Sequence, residues 1–324
     1  MSAILRIPYS MLRPIYEKTS FHRSVIDEIR DNNLKPAYSH CRAITRFYAK
    51  TFYMATRFLP NKKQRSIFAI YGLCRYLDNL VDDSIDLNNN EEINISEIDS
   101  KLNEFKRNLA SIYEGESTSD PILAAFSDTI KKYHIPIDLP FLLIDGVRSD
   151  LDKNRYNNFQ ELYDYSYKVA SVVGLMTSRV FGYNDKRALE HAIDLGIAMQ
   201  LTNILRDIGE DLQRDRIYLP ADELKRFGVS ESDLFMGILS NEFSELMKFQ
   251  VERARKYYEK ADRGISMLTK DSLIPVYLAR YNYSRILDKI EENEYNVFDK
   301  RAYLNRFEKL TILPRIFVKM RASS

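Results

Sequence analysis

Tryptophan is absent from the 324 residues, and cysteine and glycine are scarce, at two and ten. Cys41 and Cys74 are too few for a disulfide framework and lack the CxxC spacing of a zinc or redox site, which points to a reducing, cytoplasmic setting. The glycines fall as scattered singles, so neither GxGxxG nor GxxxxGKS/T occurs and nucleotide-cradling folds are disfavoured. An excess of one charge is also lacking: 48 Lys and Arg face 46 Asp and Glu, a net +2 that is too balanced for a nucleic-acid partner. No run approaches the roughly 18 apolar residues of a spanning helix, so any membrane contact is expected to be peripheral. Glu17, Asp27, Glu28 and Asp31 speak against a transit peptide near the N-terminus.

With 45% hydrophobic and 29% charged residues, the chain can build a large globular core. Apolar residues recur at helical spacing from Tyr38 onward, and period-two runs are hard to find, which predicts an all-α fold. Breaks are expected at Pro60-Asn61, 86–90, 117–121, 136–140, Tyr183-Asn184, Pro220 and 270–272. None is long enough for an interdomain linker. The expectation is one domain of about ten helices over 38–324, preceded by a partly helical extension, 1–37, with no assignable role. The acidic, asparagine-rich stretch 88–100 reads as a solvated loop. His22, His40, His134 and His191 have no partner at ligand spacing and read as core or solvated residues.

Two stripes carry chemistry. On a helix, Tyr71, Arg75, Asp78 and Asp82 fall at offsets 0, 4, 7 and 11 and share a face, with Leu73, Leu77 and Leu80 on its flank. Like charges at this spacing cost roughly 0.2–0.5 kcal/mol even on an exposed surface. Either a bound cation relieves that cost, or the face is solvated with Arg75 as internal partner. Gln200, Asn203, Asp207 and Asp211, at offsets 0, 3, 7 and 11, form a second such face. Amide and carboxylate oxygens suit Mg²⁺, which takes one or two carboxylates per ion and fills its shell with water and substrate phosphates. The absence of histidine and thiolate disfavours zinc and iron. Two helices facing each other across metal-bridged diphosphate would explain both stripes, and two solvated faces remain the alternative.

The same residues carry a family resemblance. Lys50 to Pro60, Tyr71 to Asp83, Gly146 to Tyr156, Tyr165 to Met176, Gln200 to Pro220, and Ile286-Leu287-Asp288 through Arg301-Ala302-Tyr303 resemble the squalene/phytoene synthase family of head-to-head prenyl synthases, most of all its phytoene synthase branch. The resemblance implies an all-α isoprenoid synthase bundle around a central apolar cavity. It implies a prenyltransferase that condenses two geranylgeranyl diphosphates through a cyclopropyl diphosphate, in carotenoid biosynthesis. Asp78 and Asp82 resemble the first metal-binding aspartates, and Asn203, Asp207 and Asp211 the second set, for Mg²⁺ with Mn²⁺ as alternative and no NADPH. Tyr71, Arg75, Gln200 and Arg206 match residues that hold diphosphate or line the reaction centre, and Lys50, Tyr283 and Arg301 belong to the same substrate-binding set. Ser166 and Ser171 depart from the cysteine and glycine more usual in the Tyr165 to Ser171 pattern.

Phe52, Tyr71 and Tyr167 could stabilise a carbocation through their ring faces, or simply pack the core. Asp150, in a segment resembling G-x-x-x-D-L-x-x-x-R-Y, would share a helical face with Asn154. It reads equally as a metal- or diphosphate-binding residue or as a structural Asp–Arg partner. Thr56, four residues after Phe52, is small where thirty-carbon relatives carry a bulky aromatic, which implies room for a longer tail. The rival readings are a farnesyl diphosphate enzyme making a thirty-carbon product and a non-catalytic scaffold, which the intact aspartates disfavour. Product is expected to leave into lipid and pass to a downstream desaturase. The segment 313–321 mixes apolar and basic residues, as either a membrane-surface contact or a last helix packed on the core.

Overall fold

Proline and capping side chains set many of the helix starts. In a computed structural model the described residues are 24–86, 95–314, 316 and 318, without the side chains of 24, 82–86, 306 and 310. The helices are α1 (Ser24–Asp27), α2 (Leu34–Tyr48), α3 (Lys50–Thr56), α4 (Asn61–Asp86), α5 (Ile95–Tyr113), α6 (Pro121–Tyr133), α7 (Asp138–Ser149) and α8 (Phe159–Ser166). After a π-helical turn, Tyr167–Ser171, come α9 (Val172–Phe181), α10 (Ala188–Leu212), α11 (Ala221–Phe227), α12 (Glu231–Phe235) and α13 (Asn241–Ile265). A 3₁₀ turn, Lys270–Ser272, then leads to α14 (Leu273–Glu292) and α15 (Arg306–Leu310). Among the described residues there is no strand, only the isolated bridges Arg155–Ile217 and Tyr183–Leu268. Short helices such as α3, α11 and α12 bring the number above the ten expected. Asp120 caps α6 by accepting from Leu123 N at 2.8 Å, with Pro121 in the first turn, where its missing N–H costs nothing.

Two main apolar cores form. One gathers α2, α4, α5, α6, α7 and α9, and the other gathers α8, α10, α13 and α14. Tyr167 packs against both. A third cluster, around Tyr277 and Leu278, includes Ile312 and Ile316. Ile312 and Ile316 therefore pack inward while Val318 is exposed, and Arg315, Lys319 and Arg321 lie outside the described residues. Residues 24–37, to which the sequence assigns no role, contribute Val25, Ile26 and Ala37 to the first core. Arg65 fastens this end by donating to Val25 O at 2.7 Å and pairing with Glu28.

The π turn is the least expected element, and two glycines explain how it fits. A Cβ on Gly146 of α7 would lie 2.8 Å from Lys168 Cβ, and one on Gly196 of α10 would lie 2.5 Å from Ser171 Cα. Both neighbouring helices thus approach the widened turn more closely than any side chain allows. Ser171 Oγ secures it by donating to Ile193 O at 2.9 Å.

Lys63 staples the bundle across distant segments. Its ammonium donates to Phe181 O (2.6 Å), Asp271 Oδ1 (2.8 Å), Thr269 Oγ1 (2.9 Å) and Ser272 Oγ (3.2 Å). Lys63→Met strips these acceptors of a charged donor, and a loss of about 2 kcal/mol in unfolding free energy is expected by urea denaturation. A change below about 0.5 kcal/mol would show that water replaces the ammonium without cost.

Candidate active site

The first stripe lies on α4. Leu73 and Leu77 are fully buried, while Tyr71, Arg75 and Asp78 stay half-buried on the adjoining face. The Tyr71 and Phe52 ring centroids are 5.7 Å apart, which ties α3 to this face. The Arg75 guanidinium covers the Tyr48 ring at 4.3 Å, and its Nε is buried without a hydrogen-bond partner. Burial pushes the Tyr71 hydroxyl well above the usual phenol range; Arg75 opposes the shift, and Asp78 and Tyr283 add to it. The side chain of Asp82 lies outside the described residues.

The second stripe lies on α10, which α9, α13, α14 and the π turn surround. Leu201, Thr202, Ile204, Leu205 and Ile208 are buried against these neighbours, yet Gln200, Asn203, Arg206, Asp207 and Asp211 are only half-buried. The helix is thus enclosed by others yet partly accessible along one stripe. Arg206 grips Asp207 with two nitrogens, Nε at 2.8 Å from Oδ1 and an Nη on Oδ2. Arg301 adds an Nη2 contact to Asp207 Oδ1 at 3.1 Å and an Nη1 contact to Glu210 Oε1 at 2.8 Å. Burial, then the charge of Asp207, raises the Asp211 carboxyl to about 7, against the pull of Arg216 and Arg214.

These groups fit a hard divalent cation. Asn203 Oδ1 is buried with no hydrogen-bond partner, an oxygen left for something other than protein. Asp211 would give up its raised proton affinity once a positive charge arrived. Among the described residues no three acidic, histidine or cysteine side chains converge as a ready cage. The Asp82 side chain is not in that count. Tyr283 of α14 acts electrostatically on both Tyr71 and Arg206.

The squalene/phytoene synthase family model matches residues 45–308. The chain belongs to the squalene/phytoene synthase family. It is 45% identical over 296 residues to phytoene synthase 1 of Zea mays, covering 89% of this chain and 70% of that protein. It is 43% identical to the 15-cis-phytoene synthase of Synechococcus elongatus, covering 87% of this chain and 92% of that protein. Among solved structures, a dehydrosqualene synthase in complex with ligand superposes with a TM-score of 0.81 at 28% identity, covering 89% of this chain and 98% of that one. A squalene synthase from Alicyclobacillus acidocaldarius shares the fold, with a TM-score of 0.75 at 24% identity over 84% of this chain and 99% of that one. This chain is an all-α prenyltransferase, and its identities to phytoene synthases over most of its length support that function in carotenoid biosynthesis. Chemistry of this family is generally metal-dependent.

The remaining expected residues divide. Thr56 is buried and donates to Tyr53 O at 2.8 Å. Lys50 is exposed. Asp150 does not share a helical face with Asn154, because α7 ends at Ser149, and Asn154 Nδ2 donates to Asp215 Oδ2 at 3.0 Å. Instead the Asp150 carboxylate accepts from Tyr165 and Tyr218, each at 3.1 Å, while Arg216 donates to its backbone oxygen at 3.1 Å. Tyr156, Tyr165 and Tyr218 form a stack with centroids 5.3 to 5.6 Å apart. Sequence reasoning singled out Tyr167 and passed over Tyr165, Tyr218, Tyr48 and Glu210. Tyr165 stands in the same quoted pattern, so that motif was its available signal.

Proposed function

We propose that this protein joins two geranylgeranyl diphosphates head to head and releases phytoene and diphosphate. The observation that carries this reading is the pair of half-buried oxygen stripes on α4 and α10. In this reading Asp78 and Asp82 hold one set of Mg²⁺ contacts and Asn203, Asp207 and Asp211 the other, with Mn²⁺ as a substitute. The metal, when bound, neutralises the leaving diphosphate.

Arg75, Arg206 and Arg301 supply fixed positive charge to the same diphosphate, and Lys50, Gln200 and Tyr283 complete its binding. Breaking the carbon–oxygen bond leaves an allylic cation, which must meet the second prenyl chain before water does. The apolar wall excludes water, and the ring faces of Phe52, Tyr71 and Tyr167 stabilise the cation. Attack by the second chain, with loss of one proton as the ring closes, gives a cyclopropylcarbinyl diphosphate; a second ionisation releases the second diphosphate, and rearrangement and loss of a further proton give the central double bond. A tyrosine hydroxyl already holds its proton at neutral pH, and burial pushes Tyr71 further up, so released diphosphate is the better acceptor for that proton. Asp150, through Tyr165 and Tyr218, steadies the wall beside Asp211.

The test is direct: incubate the purified protein with Mg²⁺ and either geranylgeranyl or farnesyl diphosphate, and identify the hydrocarbon. A forty-carbon hydrocarbon from the first substrate supports the proposal. A thirty-carbon product made only from the second would favour the rival reading, which the superposition on a dehydrosqualene synthase keeps in view.

No helix among the described residues is long and apolar enough to cross a membrane. Releasing a hydrocarbon into water would cost roughly 0.8 kcal/mol per CH₂, so we place product release at a lipid surface, where a desaturase would take over the product. The protein is expected to float with vesicles containing phosphatidylglycerol and to lose flotation when Arg315, Lys319 and Arg321 are replaced by Ser. If the wild type does not float, the surface contact is rejected.

A further inference from the structure

The chain that follows α14 lies directly on α10 at Gly209. A Cβ there would come within 2.7 Å of Phe298 O and 2.8 Å of Val297 O, so the two backbones touch where only glycine fits. Phe298 stacks on Phe243 at 5.0 Å, and Val297, Ala302 and Leu304 are buried. The stretch 297–304 is thus anchored at Val297, Phe298, Ala302 and Leu304, while the Arg301 side chain between them is 53% exposed at the rim of the second stripe. There its guanidinium bridges Asp207 at 3.1 Å and Glu210 at 2.8 Å, two carboxylates at i and i+3 that flank Gly209.

The two acids are not equivalent. Asp207 is already gripped by Arg206 and belongs to the proposed metal set, so its bond to Arg301 is in competition. Glu210, 50% exposed and outside that set, makes its ion pair with Arg301 and feels Arg206 only through the field. When Asp207 turns to a cation, the Glu210 contact is the one that still fixes the guanidinium, which keeps its remaining N–H donors for an anion.

We propose that Glu210 is a positioning residue: it holds the Arg301 guanidinium at the rim of the α10 stripe, oriented toward the substrate diphosphate, without touching substrate itself. This rests on the reading of Arg301 as a diphosphate-binding residue. The test uses the whole protein in Mg²⁺ with inorganic diphosphate as probe, binding measured by calorimetry for Arg301→Gln, Glu210→Gln and the double variant.

Arg301→Gln is expected to weaken diphosphate by about 30-fold, the loss of charge-assisted hydrogen bonds. Glu210→Gln is expected to weaken it by about 3- to 10-fold, and the double variant no more than Arg301→Gln alone, because Glu210 acts only through Arg301. In turnover assays Glu210→Gln should raise KM for the prenyl diphosphate with kcat changed less than about twofold. Losses that add in the double variant would mean that Glu210 acts on metal or diphosphate directly, and would overturn the proposal. Wild-type affinity in Glu210→Gln beside a weakened Arg301→Gln would overturn the positioning role and leave Arg301 in place. Unchanged affinity in Arg301→Gln would overturn both.

Discussion

Asp207→Asn is expected to lower turnover by at least about 100-fold, the scale of losing one electrostatic contact to a transition state. The substitution keeps the shape of the side chain and removes its charge. Asp207 sits where Arg206, Arg301 and, through the field, Asp211 converge, so its charge organises the whole stripe. Without it, Arg206 keeps a neutral oxygen partner, and the helical fold should persist, as checked by circular dichroism and thermal melting. Asp78→Asn and Asp211→Asn are expected to fall in the same range. Near-normal turnover in Asp207→Asn with Mg²⁺ saturating would show that the α10 carboxylates are a solvated face after all.

Thr56→Phe is expected to change which substrate the enzyme takes. Thr56 is 2% exposed on α3, one turn beyond Phe52, whose ring meets Tyr71. Its hydroxyl is satisfied within the helix by Tyr53 O, so the side chain presents a methyl-sized surface to its neighbours. A phenyl ring there would shorten the space for a tail, and overpacking a buried site typically costs about 1–3 kcal/mol. Use of geranylgeranyl diphosphate should fall by about 100-fold in kcat/KM, while use of farnesyl diphosphate is held or improved. Thr56→Val, close in volume, should keep the wild-type preference and show that bulk decides. An unchanged preference in Thr56→Phe, with the variant folded, would remove Thr56 from the determinants of chain length.

The stripes were legible because a 3.6-residue period makes side chains three and four apart share a face, whatever surrounds the helix. Asp78, Asn203, Asp207 and Asp211 therefore stand on the faces that spacing assigns to them, partly accessible beside buried leucines and isoleucines. The π turn left no such signal, since Lys168-Val169-Ala170 continues a helical pattern, and what admits the turn is glycine on two other helices, Gly146 and Gly196. The end of α7 was hidden for a similar reason: Asp150-Leu151-Asp152 reads as more helix. The partners of Asp150 lie 15 and 68 residues away, beyond any local pattern. Glu210 carries no local signal, and only the path of the chain across Gly209 sets Arg301 beside it.

The central claim is that paired oxygen stripes on α4 and α10 serve a cavity sized for twenty-carbon tails. Its most direct measurement is a competition in one vessel, with equal geranylgeranyl and farnesyl diphosphate, Mg²⁺ and the purified protein, read by mass spectrometry of the extracted hydrocarbons and their cyclopropyl diphosphates. The account predicts forty-carbon products in large excess, abolished by chelator and restored by Mg²⁺. Thirty-carbon products in excess, or undiminished synthesis after chelation, would contradict it.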